Sequence, residues 1–277
     1  MVSYRELWQS LLPLYDEREA RAVVLWLLEV AFSLSRTDVV CGAVDQLNGE
    51  QQQRLQTMMD HLQQGVPVQY AAGVADFGPR QFVVAPGVLI PRPETYELCQ
   101  WIVQCAGTSP QVLDVGTGSG CIACTLALDL PEARVTAWDI SSAALQIAAD
   151  NARRLDVTVT FEQCDALHPT ADARRWDLIV SNPPYICECE RRDMAVHVTD
   201  HEPSLALFVP DDDPLLFYRA IGHYAVRSLQ PGGQLFFELN HAHAAETAEL
   251  LRQLGMIDIQ LRRDQFGRQR FLKALHP

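Results

Sequence analysis

Residues 111–120 read Gln111-Val112-Leu113-Asp114-Val115-Gly116-Thr117-Gly118-Ser119-Gly120, and the fold turns on them. Gln111 to Val115 is an apolar run of strand length, and the segment from Cys121 to Leu130 behind the glycines has the length and composition of a buried helix. Glycines at 116, 118 and 120 allow a tight backbone turn and let a ligand approach the main chain. The third glycine follows the second after one residue, so the dinucleotide fingerprint G-x-G-x-x-G is not matched, and no Lys with P-loop spacing is present. A loop that builds no phosphate cradle suits a ligand without phosphate and disfavours NAD and ATP.

Downstream of this unit the same grammar repeats. Arg134 to Asp139 reads as a strand, Ala143 to Leu155 as a helix, and Val157 to Gln163 and Trp176 to Ser181 as strands. Gln234 to Leu239, Ile257 to Arg263 and Arg270 to Leu275 complete seven strands. Strands alternating with helices predict an α/β fold with a mainly parallel, Rossmann-like sheet covered on both faces. Upstream the pattern changes. Ala75 to Leu89 carries glycines, prolines and the β-rich run Gln81-Phe82-Val83-Val84, as a hairpin would. The first seventy residues read as helices: one from Ser3 to about Leu12, one capped by Asp16, and one opened by Asn48 that stops at Gly65. The expected organisation is a helical bundle over 1–70, a hairpin linker over 71–90 and an α/β domain over 91–277.

Ligand-binding chemistry is expected where the parallel strands end, because open α/β sheets bind ligands at their carboxyl edge. Asp139 ends the second strand, roughly twenty residues past the glycines, where a carboxylate accepts the two hydroxyl protons of a ribose. As an alternative, it caps the helix that begins at Ser141. Asp165, after the third strand, is placed for the exocyclic amine of an adenine, with the backbone of Ala166 beside it. After the fourth strand stands Asn182-Pro183-Pro184-Tyr185. Two successive prolines remove two N–H donors and stiffen the chain, leaving carbonyls free. The Asn182 side-chain oxygen and the Pro183 carbonyl are two acceptors for the two protons of an –NH2 group. Tyr185 offers a flat wall for a planar amide or base, with a face that favours a nearby sulfonium cation.

Composition narrows the partners. The 277 residues carry 22 Lys plus Arg against 35 Asp plus Glu, a net charge of −13. Nucleic-acid binding calls for a basic face, so a protein substrate is the easier fit. The N-terminus has no signal-peptide pattern, and the apolar stretch Ala22 to Leu34 is too short to span a bilayer and contains Glu29. The eight cysteines are scattered and read as reduced, buried thiols, so a cytoplasmic location is expected. Cys121 and Cys124 have C-x-x-C spacing, but no second knuckle accompanies them and no metal is expected. The His197/His201 and His241/His243 pairs read as surface or loop residues.

The order D-x-G-T-G-S-G, Asp139, Asp165 and N-P-P-Y resembles class I methyltransferases acting on nitrogen. Adding Leu89-Ile90-Pro91-Arg92-Pro93-Glu94-Thr95, Glu202-Pro203 and the helical N-terminus, nearly the whole chain resembles the bacterial release factor glutamine methyltransferases. The resemblance implies S-adenosylmethionine as cofactor, with S-adenosylhomocysteine as product. It implies methylation of the glutamine side-chain amide in the Gly-Gly-Gln motif of class I peptide chain release factors. Asp114, Gly116, Thr117, Gly118, Ser119, Gly120, Asp139, Asp165, Ala166 and Asn182 are then expected at the cofactor. Asn182, Pro183, Pro184 and Tyr185 are expected at the substrate, with Arg92 and Glu94 also on that side. A monomer with no direct nucleic-acid or membrane partner is expected. The competing class is an adenine-N6 DNA or RNA methyltransferase, which would use the same N-P-P-Y logic on a flipped base. Two departures from the family stand out: Tyr96 where an acidic residue is usual, and Val209-Pro210-Asp211-Asp212-Asp213-Pro214 where glycines are usual. The chain's own Gly232-Gly233-Gln234 reads as the turn into a strand.

Overall fold

A computed structural model describes residues 3–169 and 173–277. The chain forms two compact units, Met1–Val74 with Ala195–His201, and Ala75–Met194 with Glu202–Pro277.

In the first unit, helix α1 (Tyr4–Gln9) is capped by Ser3, whose side chain accepts the Glu6 N–H while the Glu6 carboxylate accepts the Ser3 N–H. It stops at Gln9, short of the expected Leu12, and the chain turns before Pro13. Asp16 caps α2 (Glu17–Phe32), which ends on Ser33 in the left-handed region. A short α3 (Arg36–Val40) with its own capping box follows, and Asn48 caps α4 (Gly49–Gln63). The last helix before the boundary is α5 (Val68–Ala72). Leu27, Leu28, Met59 and Leu62 meet in the core of this unit, so the Met58-Met59 pair is packing.

The second unit opens with the hairpin β1 (Val74–Phe77) and β2 (Arg80–Val83). Phe77 and Phe82 are buried and share a core with Leu98 and Ile102 of α6 (Pro93–Cys105). Tyr96 supplies the reason for one departure: its ring packs edge-on against Phe77 and lies so close over Gly78 that an added Cβ would sit 2.4 Å from it. The residue at 96 has become part of the hairpin core.

The remaining elements alternate as expected: β3 (Gln111–Val115), α7 (Cys121–Asp129), β4 (Arg134–Asp139), α8 (Ser142–Arg154), β5 (Val159–Gln163) and β6 (Trp176–Ser181). Then come a two-residue β7 (Ile186–Cys187), α9 (Val196–His201), which belongs to the first unit, α10 (Ser204–Leu207) and a two-residue β8 (Phe208–Val209) paired with β7. The chain ends with α11 (Leu216–Ser228), β9 (Leu229–Glu238), α12 (Ala244–Gln253), β10 (Ile257–Arg263) and β11 (Gln269–Leu275). The seven-stranded sheet has the order β10-β11-β9-β6-β3-β4-β5, parallel except where β11 pairs antiparallel with both neighbours. β9 begins earlier than the expected Gln234. Gly232 within it is left-handed, at a register irregularity opposite β6. Among the described residues no helix is long and apolar enough to cross a membrane.

One polar residue inside α8 ties three elements together. Asn151 is 1% exposed; its oxygen accepts the Val83 N–H at 2.7 Å, and its nitrogen donates to the carbonyls of Val83 and Ser119, each at 2.9 Å. It thereby joins the hairpin and the glycine loop to α8. Asn151→Ala removes three bonds and strands the Val83 N–H, at about 1 kcal/mol per bond. A stability loss of about 2–4 kcal/mol is expected by chemical denaturation. A loss below about 0.5 kcal/mol would show that water replaces the amide.

Candidate active site

The register of three parallel strands assembles the site. Val115 of β3 is level with Trp138 of β4 on one side and Ser181 of β6 on the other. The next residues, Gly116, Asp139 and Asn182, therefore emerge side by side at the carboxyl edge. The strand order also reverses here, since β4 and β5 lie on one side of β3 while β6 and β9 lie on the other. This is the switch point at which such sheets bind ligands.

The glycine loop is held from beneath. Trp138 O accepts the N–H groups of both Gly116 and Thr117 at 2.9 Å. Thr117 Oγ1 donates to Asp114 Oδ2 at 2.7 Å, and Gly118 N–H donates to Asp139 Oδ2 at 2.8 Å. Gly116 and Gly118 have φ of 78° and 54°, and a Cβ on either would meet no neighbouring atom, so both present bare backbone to open space. Gly120 serves differently. A Cβ there would come within 3.0 Å of Ala148 Cβ, so this glycine lets α7 begin against α8.

Above the loop lies a cavity of about 190 Å³. Its floor is Gly116 and Gly118; Asp139, Ile140 and Ser141 line one side, Asp165, Ala166 and Leu167 the next, and Asn182, Pro183 and Pro184 another. Val88, Leu89, Pro203, Leu205 and Phe217 are among the further apolar lining residues. None of the described lining residues is Lys or Arg. Two carboxylates among apolar walls, with no cation, suit a ligand bearing hydroxyl and amino groups and no phosphate.

Asp139 uses both oxygens on the backbone, Oδ2 for Gly118 and Oδ1 for the Ser141 N–H at 2.9 Å. A carboxylate has about four acceptor positions, so two remain for the cavity. The cap of α8 is Ser141, whose hydroxyl accepts from Ala144 N–H. Asp165 accepts the Leu167 N–H and meets His168 Nδ1 at 2.9 Å; that histidine contact, with the backbone bond, holds its carboxyl below the usual range.

Other expected site residues lie outside the cavity wall. Asp114, Thr117, Ser119 and Gly120 do not line it; Asp114 and the side chains of Thr117 and Ser119 are buried, and Thr117 bonds to Asp114. Arg92 pairs with the buried Glu202 at 2.5 Å, and Glu202 also accepts the Ile90 N–H at 3.1 Å. Together they tie the Val88–Leu89 wall to the Pro203–Leu205 wall. Glu94 lies in the first turn of α6 and does not line the cavity. Tyr185 also lies outside it: its hydroxyl donates to Glu238 Oε1 at 3.1 Å. The Val209–Pro214 departure acquires a task. Asp213 forms a two-bond ion pair with Arg219, fixing the start of α11, whose Phe217 reaches the cavity.

Two residues given no site role in the sequence complete the network. Glu238, at the end of β9, is 2% exposed and accepts from both Tyr185 and the Thr95 hydroxyl. Thr95, in the first turn of α6, accepts the Asn182 side-chain N–H at 3.2 Å. A carboxylate closing the apolar run Leu235-Phe236-Phe237 was the available signal, since a buried charge needs partners. The thiols of Cys121 and Cys124 are buried and pushed up to about 12 by desolvation, so they are poor nucleophiles.

The sheet order, the glycine loop and the cavity define a Rossmann-like methyltransferase. The family model for the Methyltransferase small domain matches residues 98–199, and that for the PrmC N-terminal domain matches 6–73. Among solved structures, a methyltransferase from Pyrococcus furiosus has a TM-score of 0.51 at 17% identity, covering 70% of this chain and 87% of its own. The 16S rRNA N2 G1207 methyltransferase of Thermus thermophilus has a TM-score of 0.52 at 19% identity, covering 74% of this chain and 50% of its own. These likenesses concern the fold. The release factor glutamine methyltransferase of Bacteroides thetaiotaomicron is 42% identical over 267 residues, 96% of each chain. That of Flavobacterium psychrophilum is 39% identical over 271 residues, 96% of this chain and 95% of its own. This chain belongs to the release factor glutamine methyltransferase family.

Asp114 generates a pH prediction. It is fully buried, and desolvation, opposed by the Thr117 hydroxyl and the Ala123 amide, pushes its carboxyl up to about 7. An unfolded Asp titrates near about 4, so between about 4 and 7 the native form holds a proton that the unfolded chain releases. The stability that this proton confers is full below about 4 and is lost as pH rises through about 7. Asp114→Asn should flatten the fall in melting temperature between about pH 5 and pH 8. An equal fall in variant and wild type would place the titration elsewhere.

Proposed function

We propose that this enzyme transfers the methyl group of S-adenosylmethionine to the side-chain amide nitrogen of the glutamine in the Gly-Gly-Gln motif of class I peptide chain release factors. The observation that carries the reading is the placement of Asn182 and Pro183 on the wall of the cation-free cavity, one strand away from the bare glycine backbone and two from Asp139. S-adenosylmethionine supplies an electrophilic methyl on a sulfonium. Gly116 and Gly118 admit it against the main chain, the free acceptor positions of Asp139 take the ribose hydroxyls, and Asp165 with the Ala166 backbone takes the adenine edge. Ile140, Leu167 and Phe217 exclude water along its length.

An amide nitrogen is a weak nucleophile because its lone pair is shared with the carbonyl. Asn182 Oδ1 and Pro183 O can each accept one of its protons, which holds the nitrogen in place and stabilises the charge it gains. Orientation of this sort supplies about 7–11 kcal/mol in favourable cases. No general base is required, because the proton becomes acidic once the nitrogen carries the methyl. The relatives named above support the substrate, and the net charge of −13 supports a protein over a nucleic acid.

Asn182→Ala removes one acceptor and leaves both prolines. Turnover should fall about 100–1000-fold while cofactor affinity is largely kept. Mass spectrometry of release factor after incubation with cofactor, beside calorimetry of cofactor binding, reads both. Methylation at the wild-type rate would end the amide-clamp reading. A wild-type enzyme that leaves the glutamine unmodified would end the substrate assignment.

The first unit is proposed to dock the release factor. It carries exposed apolar side chains at Leu12 (45%), Leu14 (52%) and Val40 (78%) that its own core leaves outside. Leu14→Glu should raise KM for release factor about tenfold, or about 1.4 kcal/mol, with unchanged cofactor affinity. If neither Leu14→Glu nor Val40→Glu moves KM, docking lies elsewhere.

A further inference from the structure

The Asn182 side chain ends in two groups of equal shape and opposite sense: Oδ1 accepts hydrogen bonds and Nδ2 donates them. An amide clamp works only with Oδ1 toward the substrate, because a substrate –NH2 facing Nδ2 sets donor against donor. Something in the fold has to choose between the two.

The choice is forced by the groups behind Asn182. Asn182 Nδ2 donates to Thr95 Oγ1 at 3.2 Å, and Thr95 Oγ1 donates to Glu238 Oε2 at 2.6 Å. Thr95 and Glu238 are each 2% exposed, which leaves water little part in the chain. An ionised carboxylate can only accept. Thr95 has one proton and must give it to Glu238, so toward Asn182 its oxygen can only accept. That selects Nδ2 for Thr95 and leaves Oδ1 free. Tyr185, from the same N-P-P-Y segment, donates to the other Glu238 oxygen at 3.1 Å and anchors the far end of the loop on the same group.

We propose that Glu238 and Thr95 form a hydrogen-bond relay that fixes the amide orientation of Asn182, and that both are positioning residues for methyl transfer. The inference rests on the amide-clamp reading above. It explains why a carboxylate, and not any polar residue, closes β9. A neutral group at 238 can present a donor to Thr95, whose proton then turns toward Asn182 and favours the flipped amide.

The relay is therefore sensitive to the proton on Glu238. Burial pushes this carboxyl above its usual range. The Thr95 and Tyr185 hydroxyls and the Arg270 guanidinium oppose the rise, and Glu94 adds to it. Tyr218 and Cys99 also face it, both themselves raised by burial. Arg270 is shared with Asp264 and the Leu239 carbonyl, so it balances the charge of Glu238 only in part. The working orientation is present above the Glu238 pKa and lost as pH falls through it.

Glu238→Gln, Thr95→Val and Thr95→Ser test the relay, with single-turnover methyl transfer to release factor, cofactor calorimetry and thermal melting run on each. Glu238→Gln and Thr95→Val should lower the transfer rate about 10–100-fold, as loss of an orienting outer partner does, with cofactor affinity near wild type. Thr95→Ser should restore most of what Thr95→Val loses. The wild-type rate should fall at acid pH, and Glu238→Gln should flatten that limb. With an active wild type, transfer by Glu238→Gln and Thr95→Val within about twofold of it would overturn the relay. So would parallel losses of rate, cofactor affinity and melting temperature, the mark of a purely structural role. If these variants fail to fold, the wild-type profile still decides, because a rate that stays flat until acid unfolding begins would also overturn the relay. Wild-type enzyme that transfers nothing to release factor would instead remove the reading on which the relay rests.

Discussion

The register of β3 between its two parallel neighbours is the constraint on which the rest depends. Val115, Trp138 and Ser181 stand level, and the Ser181 hydroxyl donates to Val115 O at 2.7 Å, locking β6 to β3 where the strands end. Strands buried on both faces admit no one-residue slip, since a slip would send every side chain to the opposite layer. From this follow the adjacency of Gly116, Asp139 and Asn182 and the binding of the loop to Trp138 O. A single mispaired step would separate the clamp from the cofactor floor by the rise of one residue. Proximity catalysis tolerates little of that.

Four of the acidic residues around this edge show how environment divides one chemical group among several tasks. Asp114 is buried and shapes the loop through Thr117. Asp139 uses two acceptor positions on backbone and keeps two for the cavity. Glu202 neutralises Arg92 and joins two walls. Glu238 faces away from the cavity and acts through Thr95. Burial raises the carboxyls of Asp114 and Glu238, and hydroxyl donors pull both back toward ionisation. In each, the hydrogen-bond partners decide the task.

Much of this was legible in the sequence, for definite reasons. The buried parallel strands β3 and β6 appear as apolar runs, and the glycine spacing and N-P-P-Y named the edge they share. Side-chain direction within a tight loop was not readable. The side chains of Thr117 and Ser119, flanked by left-handed glycines, are buried, and Thr117 bonds to Asp114. The polar ends of Arg92 and Tyr185 bond to Glu202 and Glu238, pairings that no local pattern announces. Thr95 and Glu238, 143 residues apart in the chain, meet only because α6 and β9 pack together. Local patterns carry no trace of such a pairing. The small helices α3 and α5 were missed because five residues show no period.

The same geometry limits what the charge on Glu238 can contribute. A negative charge behind Asn182 has the right sign to favour the cation that forms as nitrogen takes the methyl. Two hydrogen-bonded groups lie between, however, and the Arg270 guanidinium stands close enough to raise the charged form of Glu238 in competition with burial. At an effective dielectric near 20, a pair of unit charges about 8 Å apart is worth roughly 2 kcal/mol, and a compensating cation removes most of it. Reversing a carboxamide instead converts an attractive contact with the developing cation into a repulsive one at hydrogen-bonding distance. A preorganised partner of that kind carries about 2.7–4 kcal/mol. Orientation therefore outweighs the through-space field, which is why the carboxylate can sit outside the cavity and still govern what happens within it.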